Sequence, residues 1–371
     1  MQTIDPSLTE IIIQKIRKHG PVSFRDFMEM SLYYPGLGYY TSAPDKIGKD
    51  GDYYTSPWLT SIFGEMVARQ LEEMWNLLGK KDFTIVEYGG GNGNLCRDIL
   101  HQLKNNRELY DKLHYFIIEK RGRIWEKEKL IFPGKLSWQE SIRDIPIMNG
   151  CVLSNEVLDN FSIYQVVMQD ELMEVYVDYK EDFVELLQPA SRELKDYLVQ
   201  LQVTLPKGFR TEINLQAIDW IKEIAAILQQ GFVLTIDYGF SSSDLYSPKR
   251  SLGTLVCYHK HTINYCPYIN IGRQDITTHV NFSALRHWGL KSGLEYCGFT
   301  NQASFLLGLG LTEHLKKREE NGKYDTEDNP KKALLLHTFL ADMGKKFKIL
   351  IQNKGIQKPR LSGLQFPLSY I

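Results

Sequence analysis

The chain has 371 residues, of which 43% are hydrophobic and 24% charged, with a formal net charge of −1. This is a globular composition with an ample core, long enough for one elaborated domain or two. The near-neutral balance leaves no electrostatic footprint for nucleic acid, and Lys316-Lys-Arg318, Lys331-Lys332 and Lys345-Lys346 read as solvated helix faces.

Five scattered cysteines, an odd number, suggest reduced thiols rather than a disulfide framework. Met1-Gln-Thr-Ile-Asp-Pro6 has neither a basic-then-apolar leader nor an arginine-rich transit composition. The longest apolar run near the C-terminus, Phe305 to Leu311, is too short to span a bilayer. The expected location is the cytoplasm, or the mitochondrial matrix of a eukaryote once a presequence has been removed.

In chain order, apolar spacing at Ile11, Ile12, Ile16, Phe24, Phe27 and Met28 predicts helix over residues 7–32. Tyr33 to Tyr40 and Lys49 to Pro57 are dense in tyrosine, glycine and proline and too aromatic for a disordered linker. Ser56 before Pro57 is an N-cap and N1 pair opening a helix to Leu78. From residue 83, strands at 83–88, 114–119, 135–138 and 150–154 alternate with helices at 93–104 and 121–130, which implies right-handed βαβ units and a parallel sheet. Runs at 163–168, 172–179 and 183–187 predict an antiparallel meander inserted into that sheet order, followed by helices near 191–202 and 211–229. Phe232 to Gly239 returns to a buried strand. Helices are expected at 281–298, 303–319 and 330–343, with a last strand at 347–351. The expected architecture is an α/β, Rossmann-like, mostly parallel sheet. It has an N-terminal helical cap (1–80), a core (81–162 and 231–371) and a substrate-side insertion of antiparallel strands and helices (163–230).

The most informative stretch is Thr84-Ile-Val-Glu-Tyr-Gly-Gly-Gly-Asn-Gly-Asn-Leu95, an apolar strand that ends in a carboxylate and breaks into a glycine turn. Glu87, Gly89, Gly91 and Gly93 form E-x-G-x-G-x-G. A turn without β-carbons lets the backbone pass close to a bound cofactor and reaches positive φ cheaply. The dinucleotide pattern G-x-G-x-x-G needs a third glycine where this chain has Asn94 or Cys96, so that reading fails and S-adenosylmethionine (SAM) leads. His114 to Glu119 is a second apolar run ending in an acid, suited to two vicinal ribose hydroxyls. Glu87, Glu119, Trp138, Asn155 and Asp237 all fall at expected strand ends, where open α/β sheets hold ligands.

Two constellations bear on a methyl acceptor. Asn155, Glu156 and Asp159 follow the fourth strand, facing the reactive end of the cofactor. Carboxylates there can grip a guanidinium, which has no free lone pair and needs its charge localised. On residue types alone, Asn155 or Asp159 equally suits a helix N-cap. Asp275 and His279 lie in Gly272-Arg-Gln-Asp-Ile-Thr-Thr-His-Val-Asn-Phe282, where His279 can relay a proton; the plainer reading makes Asp275 and Thr278 helix caps. Cys257, His259 and His261 alternate along one strand, but the spacing matches no common structural zinc pattern, and no metal is expected.

These motifs, with Gly51-Asp-Tyr-Tyr-Thr-Ser-Pro57, Phe63-Gly-Glu65, Ile236-Asp-Tyr-Gly239, Gly253-Thr-Leu255 and Gln274-Asp-Ile-Thr-Thr-His-Val280, occur in the order seen in the MidA-like family of SAM-dependent methyltransferases, which includes the mitochondrial complex I assembly methyltransferase. The resemblance spans roughly residues 20–355. It implies a class I methyltransferase fold, SAM as cofactor and, in the mitochondrial relative, symmetric dimethylation of an arginine on a complex I subunit. Carried over by motif, Gly89, Gly91 and Gly93 surround the methionyl part of SAM and Glu119 the ribose, while the Trp138-Gln139-Glu140 strand end meets the adenine. Gly51, Asp52, Thr55 and Ser56 close the site, and Asn155, Glu156, Asp159, Asp275 and His279 surround the acceptor. The implied partner is a protein presenting an arginine, with a respiratory-complex-type subunit and a homodimer as options. A small-molecule acceptor and a SAM-binding assembly factor with little turnover are the rival readings. Trp58 stands where the family usually has an acid, and Gly90 where its turn has a proline.

Overall fold

A computed structural model describes residues 6–42, 60–119, 131–320 and 337–368. The chain divides into two compact units. One is drawn from Met1–Tyr54, Leu158–Asp219 and Phe240–Leu285, the other from Thr55–Val157, Trp220–Gly239 and Arg286–Ile371.

The second unit carries the main sheet. Its strands are β1 (Phe83–Tyr88), β2 (Leu113–Ile118), β3 (Leu136–Gln139), β4 (Met148–Asn155), β5 (Leu228–Phe240), β6 (Glu295–Asn301) and β7 (Phe347–Lys354). They lie in the spatial order β6-β7-β5-β4-β1-β2-β3. The pairs β1–β2, β2–β3, β1–β4 and β4–β5 are parallel, whereas β7 is antiparallel to both β5 and β6. The order runs outward from β1 in one direction and resumes beside it with β4. The carboxyl ends of β1 and β4 therefore flank the switch point where such sheets bind ligands.

The central strands show why the sequence pattern is a continuous apolar run rather than an alternation. Cys151, Val152 and Leu153 of β4 and Phe232, Val233 and Leu234 of β5 are all buried, as strands covered on both faces must be. At the opposite edge of these strands Gly150 and Gly231 adopt φ values of 151° and 152°. A Cβ on Gly150 would sit 1.9 Å from the Thr84 carbonyl oxygen, and one on Gly231 2.0 Å from that of Gly150, so only glycine fits this row. Against the sheet, helices Ile62–Leu77 and Asn94–Leu103 pack through Gly64, whose missing Cβ would lie 2.5 Å from the Asp98 Cβ. Its neighbours in the Phe63-Gly-Glu65 motif divide the remaining work. Phe63 is a core residue, while Glu65 accepts from Ser61 Oγ (2.9 Å) and Arg318 (2.8 Å) and faces His314 Nε2 at 2.6 Å. Arg69 Nη2 stands 2.7 Å from His314 Nδ1. An arginine can only donate, so this contact makes Nδ1 the acceptor and leaves the His314 proton on Nε2, pointing at Glu65.

The first unit has its own antiparallel sheet. Val22–Ser23, Leu172–Tyr179, Tyr164–Met168 and Arg210–Ile213 lie side by side, with Phe183–Pro189 also on Leu172–Tyr179. A three-stranded sheet of Thr262–Asn264, Val256–His259 and Asp275–Thr277 belongs to the same unit. Ile12, Ile16, Phe24, Phe27, Met28 and Tyr39 share its core.

Several elements depart from the sequence expectation. The helix expected at 7–32 is two, Leu8–His19 and Phe24–Tyr33, because Gly20 turns at φ +84° and Pro21 offers no N–H to continue the ladder. The meander does not enter the main sheet order but pairs with Val22–Ser23 in the first unit. The span 211–229 divides into strand Arg210–Ile213 and helix Leu215–Ile227. The span 281–298 divides into helix Phe282–Lys291 and strand β6, with Gly293 at φ +87° between them. In both cases strand pairing overrides local helical spacing. Asp275 lies in a strand and does not cap a helix, and His261 sits in a turn at φ +59°, off the strand of Cys257 and His259. Among the described residues no group of three metal-ligating side chains converges, and no helix is long and apolar enough to cross a membrane. The expected helix 121–130, the start of the helix at Ser56 and most of helix 330–343 lie outside the described residues.

Candidate active site

The glycine turn begins directly after Tyr88. Gly89, Gly91 and Gly93 have φ of 66°, 52° and 82°, all in the left-handed region that a side chain resists. The Gly89 N–H donates to the Ile118 carbonyl at 3.0 Å, hooking the turn onto the end of β2, and Gly93 N–H donates to Gly90 O at 2.9 Å. Gly93 is the N-cap of helix Asn94–Leu103 and supplies no side-chain cap. A Cβ on Gly89 would come within 2.7 Å of Val157 Cγ2, so the turn lies directly against the loop after β4.

Glu87 is not at the surface of this crevice. Its side chain is 2% exposed and accepts a hydrogen bond from the Tyr115 hydroxyl of β2 at 2.6 Å. Burial pushes its carboxyl up to about 7, against the Tyr115 hydrogen bond and with help from the nearby Glu119 charge. Tyr115 escaped the sequence reading, since one tyrosine in an apolar strand carries no signal of its partner. Glu119 is half-buried at the end of β2. Its backbone N–H donates to the Gln139 carbonyl (3.3 Å), and its own carbonyl accepts from the Trp138 indole N–H (2.6 Å). These bonds bring the ends of β2 and β3 together and place Glu119, Trp138 and Gln139 on neighbouring strand tips.

The end of β4 is held tightly. Asn155 Nδ2 donates to Glu156 Oε1 at 3.1 Å, and the Glu156 N–H donates to the Ile236 carbonyl at 3.0 Å. Glu156 itself has φ +55°, an unfavoured conformation for a residue with a side chain. Asp237, fully buried at the end of β5, accepts the Val157 N–H (3.2 Å) and the Tyr238 N–H (2.9 Å).

The remaining candidates lie in the first unit. Asp159 is buried in the short turn Leu158–Asn160, and its carbonyl accepts the Thr278 N–H at 2.9 Å. Asp275 is buried, with the Tyr40 hydroxyl 2.9 Å from both its oxygens, Asn160 Nδ2 at 3.1 Å and the Ile276 N–H at 2.9 Å. His279 is half-buried beside the Phe240 ring, centroids 5.1 Å apart, and its N–H donates to Thr254 Oγ1 at 3.0 Å. Thr254 is fixed in turn by the buried Glu212 carboxylate, which accepts from its N–H (2.9 Å) and its hydroxyl (2.9 Å). That contact explains Gly253, where a Cβ would lie 2.2 Å from Glu212 Oε1. Gly51, Asp52, Thr55, Ser56 and Trp58 lie outside the described residues.

The second unit's residues fit an S-adenosyl group. Ser154 Oγ and Asn155 Oδ1, at the tip of β4, are buried with no hydrogen-bond partner among the described residues, and such atoms call for a polar ligand. They border the glycine turn of residues 89–93, with the half-buried Glu119 at the tip of β2.

Comparison with known proteins agrees. Residues 66–300 match the profile of a family described as "Putative S-adenosyl-L-methionine-dependent methyltransferase". The chain is 26% identical to the Caenorhabditis elegans protein arginine methyltransferase NDUFAF7 homolog, mitochondrial, over 92% of this chain and 85% of that protein. It is 24% identical to the human mitochondrial protein arginine methyltransferase NDUFAF7, over 82% of this chain and 74% of that one. A crystal structure of a Burkholderia thailandensis protein bound to S-adenosyl-homocysteine superposes with a TM-score of 0.86 at 28% identity, covering 97% of this chain and 95% of that one. The glycine turn, the strand order and these likenesses converge: the chain belongs to the family of S-adenosyl-L-methionine-dependent methyltransferases.

Proposed function

We propose that the chain methylates a guanidinium nitrogen of an arginine on a partner protein. The observation that carries this reading is the loop after β4, where the Glu156 carboxylate is held beside Asn155 next to the glycine turn. A guanidinium is permanently charged and offers five donors in a planar fork, so it needs a fixed carboxylate to dock. Bound SAM supplies a methyl group activated by its sulfonium. Glu156 and Asn155 orient the acceptor nitrogen in line with that methyl group, which is where most of the catalysis arises. Transfer would form the carbon–nitrogen bond as the carbon–sulfur bond breaks, with the electron pair left on sulfur, and His279 is the residue we assign to take the nitrogen's proton. The names of the NDUFAF7 relatives support arginine as the acceptor.

Within the same proposal, Gly89, Gly91 and Gly93 border the methionyl chain, Glu119 takes the ribose hydroxyls, and Trp138 and Gln139 flank the adenine. Gly51, Asp52, Thr55 and Ser56, outside the described residues, are assigned to the cofactor by the sequence resemblance, and Asp159 to the acceptor. Asp275, engaged by Tyr40 and Asn160, enters as an anchor of its own unit rather than a group that touches substrate. The fold we infer is class I, with the cap and insertion serving the acceptor. The cytoplasm or a mitochondrial matrix is the proposed location, the relatives being named as mitochondrial proteins; a respiratory-complex-type subunit, which the sequence resemblance implies, is the proposed kind of partner.

The test is transfer of label from methyl-tritiated SAM into an extract of cells lacking this chain, followed by hydrolysis and amino-acid analysis. Label in methylarginine is the expected result. Label confined to the small-molecule fraction would overturn the protein acceptor, and label in another amino acid would overturn arginine.

A further inference from the structure

We propose that Asp237 is the positioning residue of the acceptor loop: by holding the Val157 N–H it keeps Glu156 in its left-handed conformation and seats Val157 against Gly89. The inference rests on the reading of Glu156 as the group that docks the acceptor.

Asp237 is fully buried, and a carboxylate with no contact to water must be satisfied by fixed donors. Two of those donors are main-chain groups on different segments. Val157 N–H reaches Oδ2 at 3.2 Å, and Tyr238 N–H reaches Oδ1 at 2.9 Å. The side chain of one strand end thus grips the loop that leaves the neighbouring strand.

Glu156 lies between two such grips. Its own N–H is taken by the Ile236 carbonyl at 3.0 Å, and the next N–H by Asp237. A non-glycine residue at φ +55° persists only where its surroundings over-determine it, and such conformations cluster at working sites. If the second grip were released, Glu156 would relax toward negative φ and its side chain would swing off the Asn155 amide. The same release would free Val157, whose Cγ2 occupies the space where a Gly89 Cβ would stand, 2.7 Å away. One carboxylate therefore sets the acceptor-side acid and the wall behind the cofactor turn together. Asparagine at 237 cannot do this, because its amide would turn an N–H toward one of the two N–H donors.

The test is a double-mutant cycle of Asp237→Asn with Glu156→Gln. It reads label transfer from tritiated SAM into protein of the extract described above, with SAM affinity by calorimetry. At saturating SAM, Glu156→Gln and Asp237→Asn are each expected to lower the rate of transfer by about tenfold or more, since the loss is one of orientation; SAM affinity stays within about threefold in Glu156→Gln and weakens in Asp237→Asn, where Val157 is released from its seat against Gly89. The double variant is expected to be no slower than Glu156→Gln, because Asp237 acts through that carboxylate. Losses that multiply, or an Asp237→Asn variant with an unchanged rate, overturn the proposal. An unchanged rate in Glu156→Gln instead overturns the acceptor reading beneath it. Should Asp237→Asn fail to fold, Glu156→Gly is added to remove the backbone constraint. Recovery of a folded, SAM-binding chain is then expected, and failure to recover overturns the proposal.

Discussion

Glu87→Gln tests the electrostatics beneath the cofactor turn. In the unfolded chain this carboxyl ionises near its ordinary value of 4.5, whereas burial in the sheet holds the proton until about 7. Between those values the folded state binds more protons than the unfolded one, so Glu87 makes stability fall as pH rises through that window. The full penalty is present above pH 7 and absent below 4.5. At 1.36 kcal/mol per pH unit, the rise from 4.5 to about 7 is worth about 3 kcal/mol. Glutamine keeps an oxygen for the Tyr115 hydroxyl but never ionises, so whatever its amide costs is the same at every pH. The stability of Glu87→Gln relative to wild type should therefore improve by about 3 kcal/mol between pH 4.5 and pH 8. Near ~2.1 cal/mol/K of unfolding entropy per residue, that is about 4 °C in Tm for 371 residues. Thermal unfolding of the cofactor-free chain, followed by circular dichroism in steps across this range, reads it directly. Parallel Tm profiles for the two proteins would refute the assignment of a buried, proton-holding Glu87.

Gly89→Ala places a Cβ 2.7 Å from Val157 Cγ2 at a φ of +66°, and we expect SAM affinity to drop by about tenfold or more in calorimetry. Glu119→Ala should weaken SAM by a similar factor, about 1.4 kcal/mol, with little change in Tm because its carboxylate lies at a half-exposed strand tip. Glu65 behaves oppositely to Glu87. Burial alone would raise its carboxyl, but His314, Ser61 and Arg318 bring it down to about 2. Its stabilisation is present above pH 4.5 and lost as pH falls toward 2, so Glu65→Gln should lower Tm at pH 7 and converge with wild type in acid. A cost that stays constant from pH 7 to pH 3 would contradict this.

The backbone and burial of the candidate site were legible where local chemistry sufficed. Four glycines in five positions announce a turn at positive φ whatever surrounds them, and Gly89, Gly91 and Gly93 adopt it. Glu119, at the end of an apolar run, stands on its strand tip as its position predicted. Glu87 sits in the same kind of pattern, yet its side chain points into the protein, because strand alternation alone does not say which face a neighbouring tyrosine will satisfy. Asp275 looked like a capping residue to a reading of residue types and proved to be part of a strand, held by Tyr40 from far along the chain.

Composition, the periodicity of the central strands and the glycine turn determined by themselves that this chain forms a parallel α/β core built for a SAM-type cofactor. They do so because burial and backbone conformation at each of those positions follow from the residue and its near neighbours. The pairing of the mid-chain strands with Val22–Ser23, the strand identity of Glu295–Asn301, the buried Glu87–Tyr115 pair and the grip of Asp237 on Val157 were decided only by tertiary structure. Each joins segments well apart in the chain, and the favourable contact exists only once the fold has brought its donor to its acceptor or one strand edge to another.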